Sequence, residues 1–104
     1  MGISTHILDT TRGAPAVGVA VRLEHEGRWV AEGVTDADGR VRLVTDPPAT
    51  GTWRIAFAVE PYFAAQQVAA FYPEVSIAFV VRDGGHYHVP LLLNPFGYAT
   101  YRGS

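Results

Sequence analysis

Val17-Gly18-Val19-Ala20-Val21-Arg22-Leu23-Glu24 is the stretch on which the reading of the fold turns. Its odd-numbered residues are apolar, and the residues between them are small or charged. Successive side chains of a strand point to opposite sides, so this period of two is the mark of a strand with one buried face. The pattern returns at Trp53, Ile55, Phe57 and Val59, and again at Val75, Ile77, Phe79 and Val81. Shorter runs fit at residues 3–8, 28–34, 40–44, 87–93 and 98–102, which makes eight expected strands. Turn chemistry separates them: Arg12-Gly13-Ala14-Pro15, Asp36-Ala37-Asp38-Gly39, Asp46-Pro47-Pro48 and Asp83-Gly84-Gly85. Residues 61–70 interrupt the alternation with Ala64, Ala65, Gln66, Gln67, Ala69 and Ala70. Pro61 suits the opening of a helix and Pro73 bars its continuation, so one short helix is expected there. The fold class is therefore all-β, a two-sheet sandwich with one helix, in a single domain spanning residues 1–104.

Composition narrows the function. The net charge is -2 and the charges are dispersed, so there is no basic stripe for nucleic acid. There is no cysteine, which excludes disulfides, thiolate chemistry and a cysteine zinc site. No apolar run approaches the ~18–20 residues that a membrane span needs. No basic segment followed by an apolar one opens the chain, so a cytoplasmic protein is expected, without membrane or nucleic-acid partners.

Strand parity assigns the polar groups to faces. Tyr87, Val89, Leu91 and Leu93 share the expected core face of one strand, which leaves His86, His88, Pro90 and Leu92 on the other. In the first strand Ile3, Thr5 and Ile7 oppose Ser4, His6 and Leu8. In the strand after Asp38-Gly39, Val41 and Leu43 look inward and Arg40 and Arg42 outward. His6, Arg40 and the His86/His88 pair thus stand on non-core faces, and a face as apolar as Pro90 and Leu92 invites a covering surface. The spacing of His86 and His88 suits a metal, with His6 as a third ligand, but no carboxylate or cysteine adjoins the pair, and no metal is expected. The chain closes on Tyr101-Arg102-Gly103-Ser104 directly after an alternating stretch. The terminal carboxylate and hydroxyl of Ser104 are therefore expected close to the folded body, where they could serve a site.

Four blocks together resemble a known family. Ser4-Thr5-His6-Ile7-Leu8-Asp9, Thr35-Asp36-Ala37-Asp38-Gly39-Arg40, His86-Tyr87-His88-Val89-Pro90-Leu91-Leu92-Leu93 and Tyr98-Ala99-Thr100-Tyr101-Arg102-Gly103-Ser104 are similar to segments of 5-hydroxyisourate hydrolase, a transthyretin-related enzyme of urate degradation. Pro61-Tyr62-Phe63 and Phe71-Tyr72-Pro73-Glu74 match as well. The resemblance covers essentially the whole chain, and its closing tetrapeptide is absent from the carrier transthyretin. It departs from the common pattern at Asn94, Phe96 and Ala99, and the loop at residues 25–28 is short.

The resemblance implies a transthyretin-like eight-stranded sandwich in which the first, fourth, seventh and eighth expected strands share a sheet. It also implies a homotetramer, a dimer of dimers, with sites where dimers meet. The implied reaction is hydrolysis of 5-hydroxyisourate to 2-oxo-4-hydroxy-4-carboxy-5-ureidoimidazoline, with no cofactor. His6, Arg40, His88 and Ser104 carry over as catalytic residues, and His6, Arg40, Tyr101 and Ser104 as substrate-binding ones. A histidine can deprotonate water at neutral pH, and the planar fork of Arg40 suits a purine-derived anion. His88 is the expected base with the Ser104 terminus orienting it, and His6 is the alternative base. The competing readings are a transthyretin-like carrier of a small ligand, a purely self-associating sandwich, and a metal-dependent hydrolase.

Overall fold

The computed structural model describes residues 2–104, which form nine strands and one helix. The strands are β1 (Gly2–Asp9), β2 (Ala14–Pro15), β3 (Ala20–His25), β4 (Arg28–Val34), β5 (Arg40–Val44), β6 (Gly51–Phe57), β7 (Val75–Val81), β8 (His86–Asn94) and β9 (Gly97–Thr100), with helix α1 (Val59–Ala64) between β6 and β7. They build two sheets. One has β1 at its centre, paired in parallel with β8 on one side and antiparallel with both β5 and β2 on the other, while β9 extends it beyond β8. The second runs β4-β3-β6-β7, antiparallel throughout.

The inward faces are the apolar positions of the alternation. Ile3 and Ile7 from β1 meet Tyr87, Val89, Leu91 and Leu93 from β8. Across the sandwich lie Val21, Leu23, Trp53, Ile55, Phe57, Val75 and Val81, all buried. Each large side chain so buried contributes about 1.5–3 kcal/mol, and together they hold the two sheets face to face. Thr5 and, at the end of the strand, Asp9 are the polar residues on the inner face of β1. Thr5 is fully buried, and its hydroxyl donates to the Val89 carbonyl at 2.6 Å, so its burial leaves no unpaired group.

Three expectations need correction. The alternation from Val17 does not begin a strand. Gly18 has φ +79, Val17 is half exposed, and pairing starts only at Ala20. The helix begins two residues before Pro61 and ends at Ala64 rather than near Ala70. Pro61 sits in the first turn, where its missing N–H would have no partner in any case. The chain then reverses at Gln67, whose φ is +61, while Val59 and Phe63 bury one face of the short helix. The last strand stops at Thr100 instead of Arg102, although Gly103 still bridges to His88. The additional two-residue strand β2 completes the edge of β1 where β5 leaves off. Among the described residues no helix is long and apolar enough to cross a membrane.

Candidate active site

The outer face of the β1-centred sheet carries the polar groups in register. Ser4 lies opposite Arg42 of β5 on one side and opposite His88 of β8 on the other. One pleat further along, His6 lies opposite Arg40 and Pro90. Directly opposed residues share a face, so two rows cross three strands: Arg42-Ser4-His88 and Arg40-His6-Pro90. Beyond His88 the first row reaches the tail, because Gly103 bridges to His88 and its N–H donates to the His88 carbonyl at 2.8 Å.

The turn at residues 36–39 sets Arg40 in place. Asp36 Oδ1 accepts from the Asp38 and Arg40 N–H groups at 2.9 and 3.0 Å, and the Gly39 N–H donates to the Asp36 carbonyl. Gly39 has φ +74, and its own carbonyl accepts from the Ile7 N–H at 2.8 Å, which fastens the turn to β1. The Arg40 and Asp38 N–H groups hold the Asp36 carboxyl below the usual carboxylate range, with the Arg40 guanidinium adding to the effect.

A cleft of about 310 Å³ opens on this face, lined by Arg40, Arg42, His86, His88 and Ser104 together with Ser4, Thr5, Asp36 and Val41. Four of these side chains are cations or can become so, against one acidic side chain. His88 is partly buried, and its Nδ1 lies 2.9 Å from Ser4 Oγ. Burial first, then the positive charges of Arg40, His86 and His6, lower the His88 pKa below its ordinary 6.5. The His86 and His88 rings lie near-parallel, 6.2 Å apart. The tail is held by Arg102, whose guanidinium sits 4.5 Å from the centre of the Tyr87 ring and donates to the His86 carbonyl at 3.3 Å.

Arg40, His88 and Ser104, expected from the sequence to belong to the site, therefore meet in one cleft. His6 stands beside it, in register with Arg40 and close enough for its charge to act on His88, but it does not line the cleft of the single chain. Tyr101 does not line this cleft but an adjoining depression of about 350 Å³, with Ile77, Phe79, Val80 and Tyr87, and His88 borders both. The partner of the His88 ring is Ser4, where the sequence reading had the Ser104 terminus. Ser4, Arg42 and Asp36 are lining residues that the reading did not single out. The parity of Ser4 with His6 was the available signal, since both leave β1 on the same side. Asn94, Phe96 and Ala99 do not line the cleft. Among the described residues no three His, Asp or Glu side chains converge as metal ligands would, and the trio of His6, His86 and His88 is not assembled for that role.

The model of the HIUase/Transthyretin family matches residues 3–103 of this chain. The chain belongs to that family. Among its relatives, a 5-hydroxyisourate hydrolase of Caulobacter vibrioides is 45% identical over 113 residues, covering 99% of this chain and 98% of the relative. The structure of Klebsiella pneumoniae 5-hydroxyisourate hydrolase superposes with a TM-score of 0.92 at 38% identity, with both chains covered completely. Sea bream transthyretin in complex with thyroxine superposes almost as well, at a TM-score of 0.91 and 32% identity over 99% of this chain and 95% of that one. The transthyretin-like sandwich is thus shared by a 5-hydroxyisourate hydrolase and a thyroxine-bound transthyretin, and the fold by itself does not choose between them. The names of relatives at 38–45% identity support a hydrolase.

Proposed function

We propose that this chain hydrolyses 5-hydroxyisourate to 2-oxo-4-hydroxy-4-carboxy-5-ureidoimidazoline, without a metal or cofactor. The observation that carries the reading is the convergence of Arg40, His88 and Ser104 on one cleft whose floor is the Ser4 row of the β1-centred sheet. A hydrophobic carrier site would have no use for this density of charge, so the cleft favours the hydrolases among the relatives over the thyroxine-bound one.

The chemistry follows from the groups present. His88 has its pKa lowered, so it is largely neutral near pH 7 and able to take a proton from water. The water oxygen attacks a ring carbonyl, the carbon–nitrogen bond of the cyclic amide breaks, and the proton held on His88 returns to the departing nitrogen. Water thus supplies the hydroxyl of the new carboxyl group and the hydrogen of the new N–H. Arg40 faces the negative charge that builds on the attacked oxygen, and its two-pronged donor geometry fits an anionic, imide-like ring edge. His6, beside Arg40, positions the water or the substrate. Ser104 closes the cleft from the tail side and offers oxygen atoms to the N–H groups of the substrate. Two such clefts facing each other between dimers, in a tetramer of this chain, would shut the reaction from bulk water and bring His6 and Tyr101 nearer to it.

The test is an ultraviolet time course. 5-Hydroxyisourate is generated in place from urate with urate oxidase, and the protein is then added. Decay of the intermediate faster than its spontaneous rate, insensitive to a strong chelator and lost in His88→Ala and Arg40→Ala, is the expected result. Decay at the spontaneous rate from a correctly folded protein overturns the reading.

A further inference from the structure

We propose that Ser4 and Gly103 are positioning residues that hold the His88 imidazole in a slot, with its proton on Nδ1 and the lone pair of Nε2 turned into the cleft. The inference rests on the hydrolase reading for its kinetic consequence, but its structural content stands on three observations.

The first is lateral. The Nδ1 edge of the ring meets Ser4 Oγ at 2.9 Å, on the β1 side. The opposite edge meets the tail: a Cβ built on Gly103 would lie 2.7 Å from His88 Cδ2 and 3.2 Å from Pro90 Cγ. Real Cβ atoms do not approach that closely, so the ring fits only because residue 103 has no side chain. Gly103 does not have a positive φ and is therefore not needed for its backbone freedom. Its smallness is what the slot uses. With Nδ1 and Cδ2 both engaged, the outer atoms Cε1 and Nε2 are the ones presented to the cleft.

The second observation concerns the direction of the Ser4–His88 bond. A serine hydroxyl can donate or accept, so the distance alone leaves two tautomers. The charges around the ring separate them. The cleft is lined by Arg40 and Arg42 from β5 and His86 from the same strand, with His6 of β1 beside it in register with Arg40, against Asp36 of the turn and Ser104 of the tail. An N–H aimed among guanidinium groups is disfavoured, and a lone pair aimed there is favoured. Nε2 therefore carries the lone pair, Nδ1 carries the proton, and the proton is donated to Ser4 Oγ.

The third is the pairing register that fixes the slot. Ser4 and His88 are opposed across the parallel β1–β8 pair, while the Gly103 N–H donates to the His88 carbonyl at 2.8 Å. Both walls of the slot are tied to the backbone of the residue whose ring they hold. The arrangement assigns the two histidines different work. His88 is the base, through Nε2. His6, without such a slot, is the residue that binds or delivers protons.

The experiment uses ¹⁵N-histidine protein and reads the tautomer of His88 by two-bond ¹⁵N–¹H correlation, with its signals identified by their loss in His88→Gln. The wild type is expected to show a protonated Nδ1 and an unprotonated Nε2 above the pKa of the ring. Ser4→Ala is expected to mix the tautomers and to lower kcat by about tenfold with KM nearly unchanged, since a base held loosely loses part of the orientation on which its rate depends. Its acidic pH limb moves to lower pH, because the Ser4 bond favours the cation most. Ser4→Thr restores the spectrum and the rate. Gly103→Ala displaces the ring and changes the His88 spectrum even where the protein stays folded by circular dichroism. A wild-type spectrum with the proton on Nε2, or a Ser4→Ala protein with unchanged tautomer and rate, overturns the proposal. A spectrum that responds as expected in a protein that does not accelerate 5-hydroxyisourate decay upholds the slot and overturns the hydrolase reading alone.

Discussion

The Gly103 N–H donates to the His88 carbonyl at 2.8 Å, so the tail of the chain is hydrogen-bonded to the residue at the centre of the cleft. The tail is thereby part of the β1-centred sheet, and the last residue, Ser104, lines the same cleft as Arg40 and His88. A tail built in this way transmits any change at its end to the site. Fusing a peptide after Ser104 should lower kcat/KM by at least about tenfold, since misplacing a group by even a small distance costs this much or more. The same peptide fused before Met1 should leave turnover intact. Equal rates for the two fusions would remove Ser104 from the mechanism.

Arg40 acts on His88 through its charge as well as on the substrate. After burial, it is the largest cause of the lowered His88 pKa. Arg40→Gln should therefore lose roughly 10²-fold or more in kcat, the usual scale for a lost charge-stabilising donor. It should also move the acidic limb of the pH profile upward, toward the ordinary histidine value. Arg40→Lys should keep the limb near its original place while still losing rate. A limb that does not shift in Arg40→Gln would show that the two groups are uncoupled.

The same lowered pKa links stability to pH. As pH falls below about 6.5, the unfolded chain takes up the His88 proton before the folded one does. Stability should therefore decline across the window between 6.5 and the lower folded value, and level off beneath it. His88→Gln should remove that part of the slope in urea titrations run from pH 7.5 to 5. An unchanged slope would place the linkage on other groups.

Two glycines with similar backbone angles should respond differently to alanine. Gly39 has φ +74, and an added Cβ would meet the Ile7 carbonyl oxygen at 2.6 Å and Pro15 Cβ at 3.0 Å. Gly13 has φ +63, with nothing within 4 Å of the same position. Gly13→Ala should cost about 1 kcal/mol in urea unfolding, from backbone strain alone. Gly39→Ala should cost clearly more, and should also lower activity because the turn that seats Arg40 must move. Equal losses of stability would mean that the contact with Ile7 relaxes freely.

Asp9, at the far end of β1 from Ser4, is buried, with Thr11 and Arg12 N–H groups on Oδ1 and the Tyr62 hydroxyl on Oδ2 at 2.7 Å. Tyr62→Phe deletes a donor to a buried carboxylate and should destabilise the fold by about 1–3 kcal/mol. Neither residue lines the cleft, so kcat should be unaffected at a temperature where the variant stays folded. A loss of turnover without a loss of stability would reveal a coupling between helix α1 and the site.

Much of this protein could be read from the chain alone. The alternation in β6, β7 and β8 named the inner face correctly, because a one-residue slip in any of these strands would have put Ile55, Val75 or Leu91 into water. Parity likewise put Ser4, His6, Arg40 and His88 on the outer face. The chain pattern was misleading where backbone conformation overrides composition. Gly18 breaks the run that begins at Val17, and the left-handed Gln67 ends a helix that the alanines around it would have continued.

Parity says which face a side chain leaves from, and nothing about which strands lie side by side. That pairing was decided in three dimensions. Ser4 and His88, 84 positions apart in the chain, meet only because β1 and β8 run parallel at the centre of one sheet. Their register then decides that Ser4, and not the terminal carboxylate, meets Nδ1. The smallness of Gly103 gains its meaning in the same way: in the sequence it is one glycine among 11, and in the fold it is the wall against which the His88 ring lies. Side-chain chemistry and periodicity are local properties, carried by each residue and its neighbours. The distance and direction between two groups far apart in the chain come from the packing of the sheets, and only there does a set of polar residues become a site.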